Sequence, residues 1–454
     1  MSNLTINAGR LPAWTGVESS QGCHPATSNR NKLQSLSSDQ GRDSRARRKV
    51  QCLEENTMML LNQGPEHNQP LVAADAESLG MAGAERAEQY LKARHSHPET
   101  PLYALPALAD DLGIAALHVK DEGQRLGLGS FKALGGAYAV IRLVLEEAGK
   151  RLGRTVDVGE IGDARVREIA SGMIFVCATD GNHGRSVAQG AGVVGARSVI
   201  FVHAGVSAER VAAIARLGAE IVQVEGGYDH AVREVARVGA ERGWKIVSNT
   251  SWLGYERVPG LVMQGYTVSL REALRQMPEA PTHVFLQAGV GGFAAAIAGH
   301  LAILLGERRP KAVVVEPRRS ACVYASAEAG RPVTIAHQQS TVMAMLECAE
   351  PSLIAWRVLA RVADAFMTVE EEDAVAVMKR LARPAGNDPA IVAGESGGAG
   401  LAGLIRAAGS KDMRAALGLD ATSRVLTINS EGATDPARYA ELVGAPHDVM
   451  LQTA

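Results

Sequence analysis

A chain of 454 residues, 46% hydrophobic and 21% charged, can bury a large core and divides more naturally into two lobes than one. Its formal net charge of -2 provides no basic field for nucleic acid or an anionic membrane surface, so the chemistry to look for is that of a small molecule. Five scattered cysteines, Cys23, Cys52, Cys177, Cys322 and Cys348, form neither a disulfide framework nor a CxxC metal pair, and no apolar run reaches the roughly 18–20 residues of a membrane span. Without the charged-then-apolar order of a secretory signal, the expectation is a cytoplasmic protein with no membrane attachment and no bound metal.

Along the chain, residues 1–57 stand apart. Ser, Asn, Gln and Gly dominate 17–42, a basic cluster follows at Arg45, Arg47, Arg48 and Lys49, and the expectation is a disordered extension. Met58 and Met59 are alternative starts. From about residue 80 helical patterns alternate with short β-branched runs at 117–120, 173–177, 198–202, 220–224, 245–247, 283–287, 312–315 and 424–428. Such alternation predicts an α/β fold with mostly parallel sheets, because parallel strands are buried on both faces and read as continuous apolar runs. Four of the runs lie between 173 and 247. They predict a small lobe, 133–250, inserted into a large one made from 58–132 and 251–454. Ligands of open α/β sheets bind beyond the carboxyl ends of strands, which directs attention to the loops after 177, 287 and 428.

Three segments carry chemistry. Lys132 stands in Ser130-Phe131-Lys132-Ala133-Leu134-Gly135-Gly136, at the start of an apolar helix pattern. A lone lysine is normally a solvated charge, but these neighbours would desolvate it and favour the free amine that a Schiff base requires. After the strand at 173–177 comes Thr179-Asp180-Gly181-Asn182-His183-Gly184. Thr179 or Asp180 there can simply cap a helix, yet the loop also offers a carboxylate, an amide and an imidazole beside helix N–H groups. After 283–287 comes Gly289-Val290-Gly291-Gly292, leading into an apolar helix. Clustered glycines and a helix N-terminus make a phosphate seat, and a close-packed turn is the competing reading. A dinucleotide site would want GxGxxG with an acid about 20 residues on. GVGGFA lacks the third glycine, although Glu316 ends the next strand near the place for that acid.

Taken in order, KDEGQRLGLGSFKALGGAYA, ATDGNHGRSVA, VPGLVMQGYT, QAGVGG, GNDPAIVAGESG and SEGATD resemble, from about residue 97 to 436, the fold-type II enzymes that use pyridoxal 5'-phosphate (PLP), and among them the diaminopropionate ammonia-lyases. The resemblance implies two open, mostly parallel sheets, one in each lobe, and α,β-elimination from a small amino acid. It makes Lys132 the Schiff-base lysine, Asn182 the partner of the cofactor's ring hydroxyl, Gly289, Val290, Gly291 and Gly292 its phosphate cradle, and Ser430 the group facing the pyridine nitrogen. A serine hydroxyl cannot protonate that nitrogen, which favours prompt expulsion of a β-substituent.

Asp180 separates this chain from threonine and serine dehydratases, which carry Ser or Thr there; the resemblance makes it a catalytic base. The family's second catalytic aspartate lies in a Gln-Asp-Thr-Ala-Trp stretch, and the matching segment here is Ser248-Asn249-Thr250-Ser251-Trp252, whose Asn249 cannot act as a base. Thr179, Gly181, His183, Asn249, Glu395 and Ser396 are assigned to the substrate side, with a structural hydrogen bond as the alternative for His183 and a helix-start turn for 394–398. Cys322 and Cys348 match cysteine positions of the resembled enzymes and would pair there or remain reduced core thiols. A homodimer is usual in that family. The other functional readings are a threonine, serine or hydroxyaspartate dehydratase of the same fold, and, more remotely, a non-catalytic PLP- or nucleotide-binding protein.

Overall fold

The computed structural model describes residues 49–51, 58–93, 98–179, 181–336 and 339–446. The disordered extension expected for 1–57 therefore lies outside the described residues, apart from Lys49–Gln51, which form a short strand, β1. The other strands are β2 (Met58–Leu61), β3 (Leu102–Ala104), β4 (Ala116–Asp121), β5 (Ile174–Ala178), β6 (Arg197–His203), β7 (Glu220–Val224), β8 (Lys245–Ile246), β9 (His283–Gln287), β10 (Lys311–Pro317), β11 (Ala365–Val369) and β12 (Arg424–Asn429).

They form two sheets. The larger runs β1-β2-β11-β10-β9-β12-β4-β3, and the smaller β7-β6-β5-β8. Within the larger sheet β11, β10, β9, β12 and β4 are parallel, while β1, β2 and β3 join antiparallel at the edges. The smaller sheet is wholly parallel. All eight apolar runs of the sequence are strands, and β9 is buried at every position, as a central parallel strand with helices on both faces must be.

Glycines decide how the helix Lys132–Leu152 packs. A Cβ on Gly135 would sit 2.4 Å from Tyr266 Cε1, and one on Gly136 2.8 Å from Ser186 Oγ. From the other side, a Cβ on Gly190 would lie 2.6 Å from Ala137 Cα and one on Gly265 2.4 Å from Leu134 O. The lysine-bearing helix is thus pressed backbone to backbone between the helices Asn182–Val194 and Arg257–Gln276, which only residues without side chains permit. Ser186 Oγ also accepts from Ala137 N at 2.9 Å.

The approach to that helix rests on buried charge. Lys120, at the end of β4, lies 2.8 Å from Glu272, and Arg125 pairs with Glu122 at 2.7 Å and with Glu272 at 2.6 Å. Two cations and two anions balance, and Thr100 and Ser269 hydroxyls add hydrogen bonds to Glu122. Such a cluster adds little net stability over an apolar core, but removing one member strands the rest. It ties the segment 120–125 to the helix Arg257–Gln276.

Candidate active site

The loops at the carboxyl ends of β5, β9 and β12 meet at one cleft. Its walls include Lys132, Asn182, Asn249, Gly289, Val290, Gly291, Gly292, Ser396 and Ser430, nine residues proposed from sequence and scattered over about 300 positions of the chain. Phe131, Tyr266, Gln287, Phe293, Met345, Cys348 and Glu431 complete much of the lining.

Lys132 is the first residue of its helix, and the residues before it are fastened to the loop after β12. Phe131 N donates to Ser430 O at 3.0 Å, Gly432 N donates to Gly129 O at 3.0 Å, and Ser130 and Glu431 form a β-bridge. Lys132 and Ser430 are therefore placed by one unit of backbone. The Lys132 ammonium sits 5.3 Å from the Phe131 ring centroid, and that ring packs against Tyr266 and Phe293 at 4.7 and 4.2 Å. Aromatic rings thus line one side of the half-buried lysine.

Gly289–Gly292 turns from β9 into the helix Gly292–Leu305. Gly291 has φ of +90°, a left-handed conformation that suits glycine, and a Cβ on Gly289 would come within 3.0 Å of Cys348 Sγ. First-turn amides of a helix have no carbonyl four residues back, so the loop presents unclaimed N–H groups and the positive end of a helix. This is the arrangement that a phosphate monoester requires. Cys322 Sγ lies 3.5 Å from Gly289 O, so both Cys322 and Cys348 flank the loop; they are free thiols.

Asn182 opens the helix Asn182–Val194, and its Nδ2 donates to Glu431 Oε2 at 2.6 Å. Thr179 Oγ1 accepts from Gly181 N and Gly184 N, both at 3.0 Å, so Thr179 caps the loop. Gly184 is needed for that contact, since a Cβ there would lie 2.5 Å from Thr179 Cγ2. His183 Nε2 meets Val247 O at 2.7 Å, and burial, together with the Lys132 charge, drives its pKa down to about 4, so the ring is neutral at physiological pH. Thr179, Gly181 and His183 brace the loop and are not among the cleft's lining residues. Asp180 lies outside the described residues.

Asn249 Oδ1 accepts from Tyr228 Oη at 3.3 Å. In the loop 394–398, Ser396 reaches the cleft while Glu395 turns to Arg210, 2.8 Å away. Gly394 and Gly397 allow this loop to lie against 429–432: a Cβ on either would meet a carbonyl oxygen at 2.4 Å. Helix start and cleft wall are thus one structure, because the helix Ala399–Gly409 follows at once.

Glu431 is the principal residue that sequence reasoning passed over. Buried beside Ser430, it is pushed up to about 7 by burial and the neighbouring Glu395 carboxylate, against the opposing pull of Arg210 and the hydrogen bonds from Asn182 and Ser396. Its place in SEGATD was the available signal. Tyr266 was likewise missed, and burial raises its phenol well above the usual range. Among the described residues no group of His, Cys, Asp and Glu side chains could hold a metal, and no helix is long and apolar enough to cross a membrane.

Comparison with known proteins agrees with this geometry. Residues 94–431 match the family described as pyridoxal-phosphate dependent enzyme. The diaminopropionate ammonia-lyase of Escherichia coli (strain K12) is 38% identical over 368 residues, covering 79% of this chain and 91% of that protein. The diaminopropionate ammonia-lyase of Salmonella typhimurium is 36% identical over 354 residues, 76% of this chain and 87% of that protein. A crystal structure of the Escherichia coli enzyme in complex with D-serine superposes with a TM-score of 0.77 at 34% identity, covering 85% of this chain and 96% of that one. With a glycine cradle at a helix N-terminus, a sheltered lysine and an amide brought together on one cleft, the chain belongs to the pyridoxal-phosphate-dependent enzymes and, within them, to the diaminopropionate ammonia-lyase family.

Proposed function

We propose that the protein cleaves 2,3-diaminopropionate to pyruvate and two molecules of ammonia, with uptake of one water. The observation that carries this reading is the convergence of Lys132, Asn182, Gly289–Gly292 and Ser430 on one cleft, in a chain whose relatives named diaminopropionate ammonia-lyase match most of its length. In this reading Lys132 anchors the cofactor, the amides of Gly289–Gly292 hold its phosphate, Asn182 meets its ring hydroxyl, and Ser430 meets its ring nitrogen. The bound cofactor supplies an electron sink that lets the substrate's Cα–H and Cβ–N bonds break. Ser430 would offer the ring nitrogen a hydroxyl rather than a carboxylate, and a hydroxyl cannot protonate it, which would favour departure of the β-amine over reprotonation at Cα. Lys132 Nζ takes the Cα proton on one face of the substrate, and Asp180 takes it on the other. Ser396 lines the substrate side, Thr179, Gly181 and His183 brace the loop that carries Asn182, Glu395 is held by Arg210, and Phe131, Tyr266 and Phe293 form an aromatic wall beside Lys132.

Asn249 stands where a second carboxylate is expected and cannot take a proton. That favours, as a second reading, a β-hydroxy amino acid as substrate. The decisive experiment measures ammonia and pyruvate released from L- and D-2,3-diaminopropionate, serine, threonine and 3-hydroxyaspartate. The highest kcat/KM is expected with a diaminopropionate enantiomer. Turnover of hydroxy amino acids with none of diaminopropionate would overturn the first reading in favour of the second. We also propose the lobe division 58–132 with 251–454 against 133–250, supported by the separate sheet of β5 to β8, together with a cytoplasmic homodimer.

A further inference from the structure

Two buried acids, Glu395 and Glu431, lie on the large-sheet side of the cleft, and each is bonded to a side chain from the small-sheet side. Arg210, in the helix after β6, reaches Glu395 Oε1 at 2.8 Å, and Asn182, in the helix after β5, donates to Glu431 Oε2 at 2.6 Å. Ser396 N, next to Glu395, donates to the other oxygen of Glu431 at 3.3 Å. The result is a continuous polar seam from Arg210 to Asn182. A carboxylate only accepts hydrogen bonds, so the NH₂ end of the Asn182 amide must face it. One Nδ2 hydrogen is then committed and the other stays available to the cleft.

We propose that Glu431 is a positioning residue for the cofactor: its carboxylate fixes the Asn182 amide in the single orientation that presents an N–H to the cofactor's ring oxygen. The inference rests on the reading of Asn182 as a cofactor contact. The ionised form of Glu431 is the one that does this. Once protonated, the group can donate as well as accept, the bond to Asn182 loses its charge assistance, and the amide is free to turn over. Burial and Glu395 place that change at about pH 7. The charged and titratable groups around Glu431 are Glu395 and Arg210 in the seam, Lys132 on the facing helix, Asp435 after the β12 loop, and His183 beside Asn182, which stays neutral above about pH 4. Asp180 precedes Asn182 by two positions in sequence. Comparing variants at each pH removes what these other groups contribute.

The test is the affinity of the full-length apoprotein for added pyridoxal 5'-phosphate, followed by absorbance between pH 5.5 and 8.5, for the wild type, Glu431→Gln, Glu431→Asp and Asn182→Ala. Glu431→Gln should weaken binding roughly three- to thirtyfold above pH 7, the difference between a charge-assisted and a neutral hydrogen bond. The ratio of the two affinities should fall toward one below pH 6. Glu431→Asp keeps the charge and should keep the wild type's pH response even where its shorter reach lowers affinity, and it serves if Glu431→Gln fails to fold. Unfolding temperatures of the apo forms check the fold of each. Weakening by Asn182→Ala with no effect of Glu431→Gln overturns the inference and leaves the site reading intact. A Glu431→Gln defect of equal size at every pH also overturns it, since lost packing acts that way. No effect of Asn182→Ala removes the reading on which the inference stands.

Discussion

Gly291 holds its backbone at φ +90° in the loop between β9 and its helix, and a methyl group there would press within 3.4 Å of Ala355, Leu359 and Val323. Gly291→Ala should therefore cost about 1–3 kcal/mol of stability and tilt the amides proposed to hold the phosphate. The expected outcome is a lower unfolding temperature together with at least a tenfold loss of cofactor affinity, read by titration of the apoprotein. A second outcome at this scale concerns stereochemistry. With Asn249 in place of a carboxylate, the Asp180 face is expected to serve the D substrate and Lys132 the L substrate. Asp180→Asn should lower D-diaminopropionate turnover by about 10²- to 10⁴-fold, and Asn249→Asp should raise L turnover. Equal rates for both enantiomers, unmoved by either substitution, would refute the two-face assignment. Lys132, Asn182 and the Gly289–Gly292 loop could be found in the sequence because each sits in a local pattern that only a ligand or a close contact explains. Glu431 was passed over although it stands in SEGATD, because its meaning lies in Asn182, 249 residues away.

Among the elements, the strands legible in sequence are those whose apolar runs are β-branched and bounded by helical periodicity, as in β6 and β10. β11 escaped notice because AFMTV alternates small, aromatic and hydroxyl residues and lies between two helices. β2 reads as a start region, and β1 and β3 are three-residue edge pieces whose pairing depends on partners far along the chain. The joint at which β2, β10 and β11 come together is set by Asp364. Its backbone bonds to Asn62 and Ala312, and its carboxylate takes Arg309 at 2.6 and 3.0 Å, His67 at 3.3 Å and Ala312 N at 2.8 Å. Burial opposes its charge, but His67, Arg309 and the amide together hold its pKa down to about 2. The value lies below the roughly 3.9 of an unfolded aspartate, so its contribution is complete above about pH 4 and disappears as pH falls toward 2. Asp364→Asn should remove about 1–3 kcal/mol at neutral pH, and unfolding temperatures of mutant and wild type should converge below pH 3.

At the scale of the whole molecule, the cleft is assembled from pieces that no single sheet owns. The cradle and Ser430 follow strands of the larger sheet, Asn182 follows a strand of the smaller, and the glycine-lined face of the lysine helix packs against the helices Asn182–Val194 and Arg257–Gln276. A ligand that touches both sides binds the native state and not the unfolded one, so it adds stability in proportion to the logarithm of its concentration, about 2.7 kcal/mol at a hundred times its dissociation constant. Melting curves should move upward with added pyridoxal 5'-phosphate and keep moving after catalytic activity has saturated. Failure of the melting temperature to respond would mean that pyridoxal 5'-phosphate does not bind the folded chain in preference to the unfolded one.

The same division has a consequence for the protein's lifetime inside a cell. Proteases and chaperones act on opened molecules, and a shift of one or two kcal/mol changes steady-state abundance several-fold. Because the cleft takes its lining from both sheets, newly made chains without cofactor are expected to be the population most exposed to degradation. The amount of enzyme present would then follow the supply of the vitamin that makes the cofactor, by selective survival of filled molecules and without any change in synthesis.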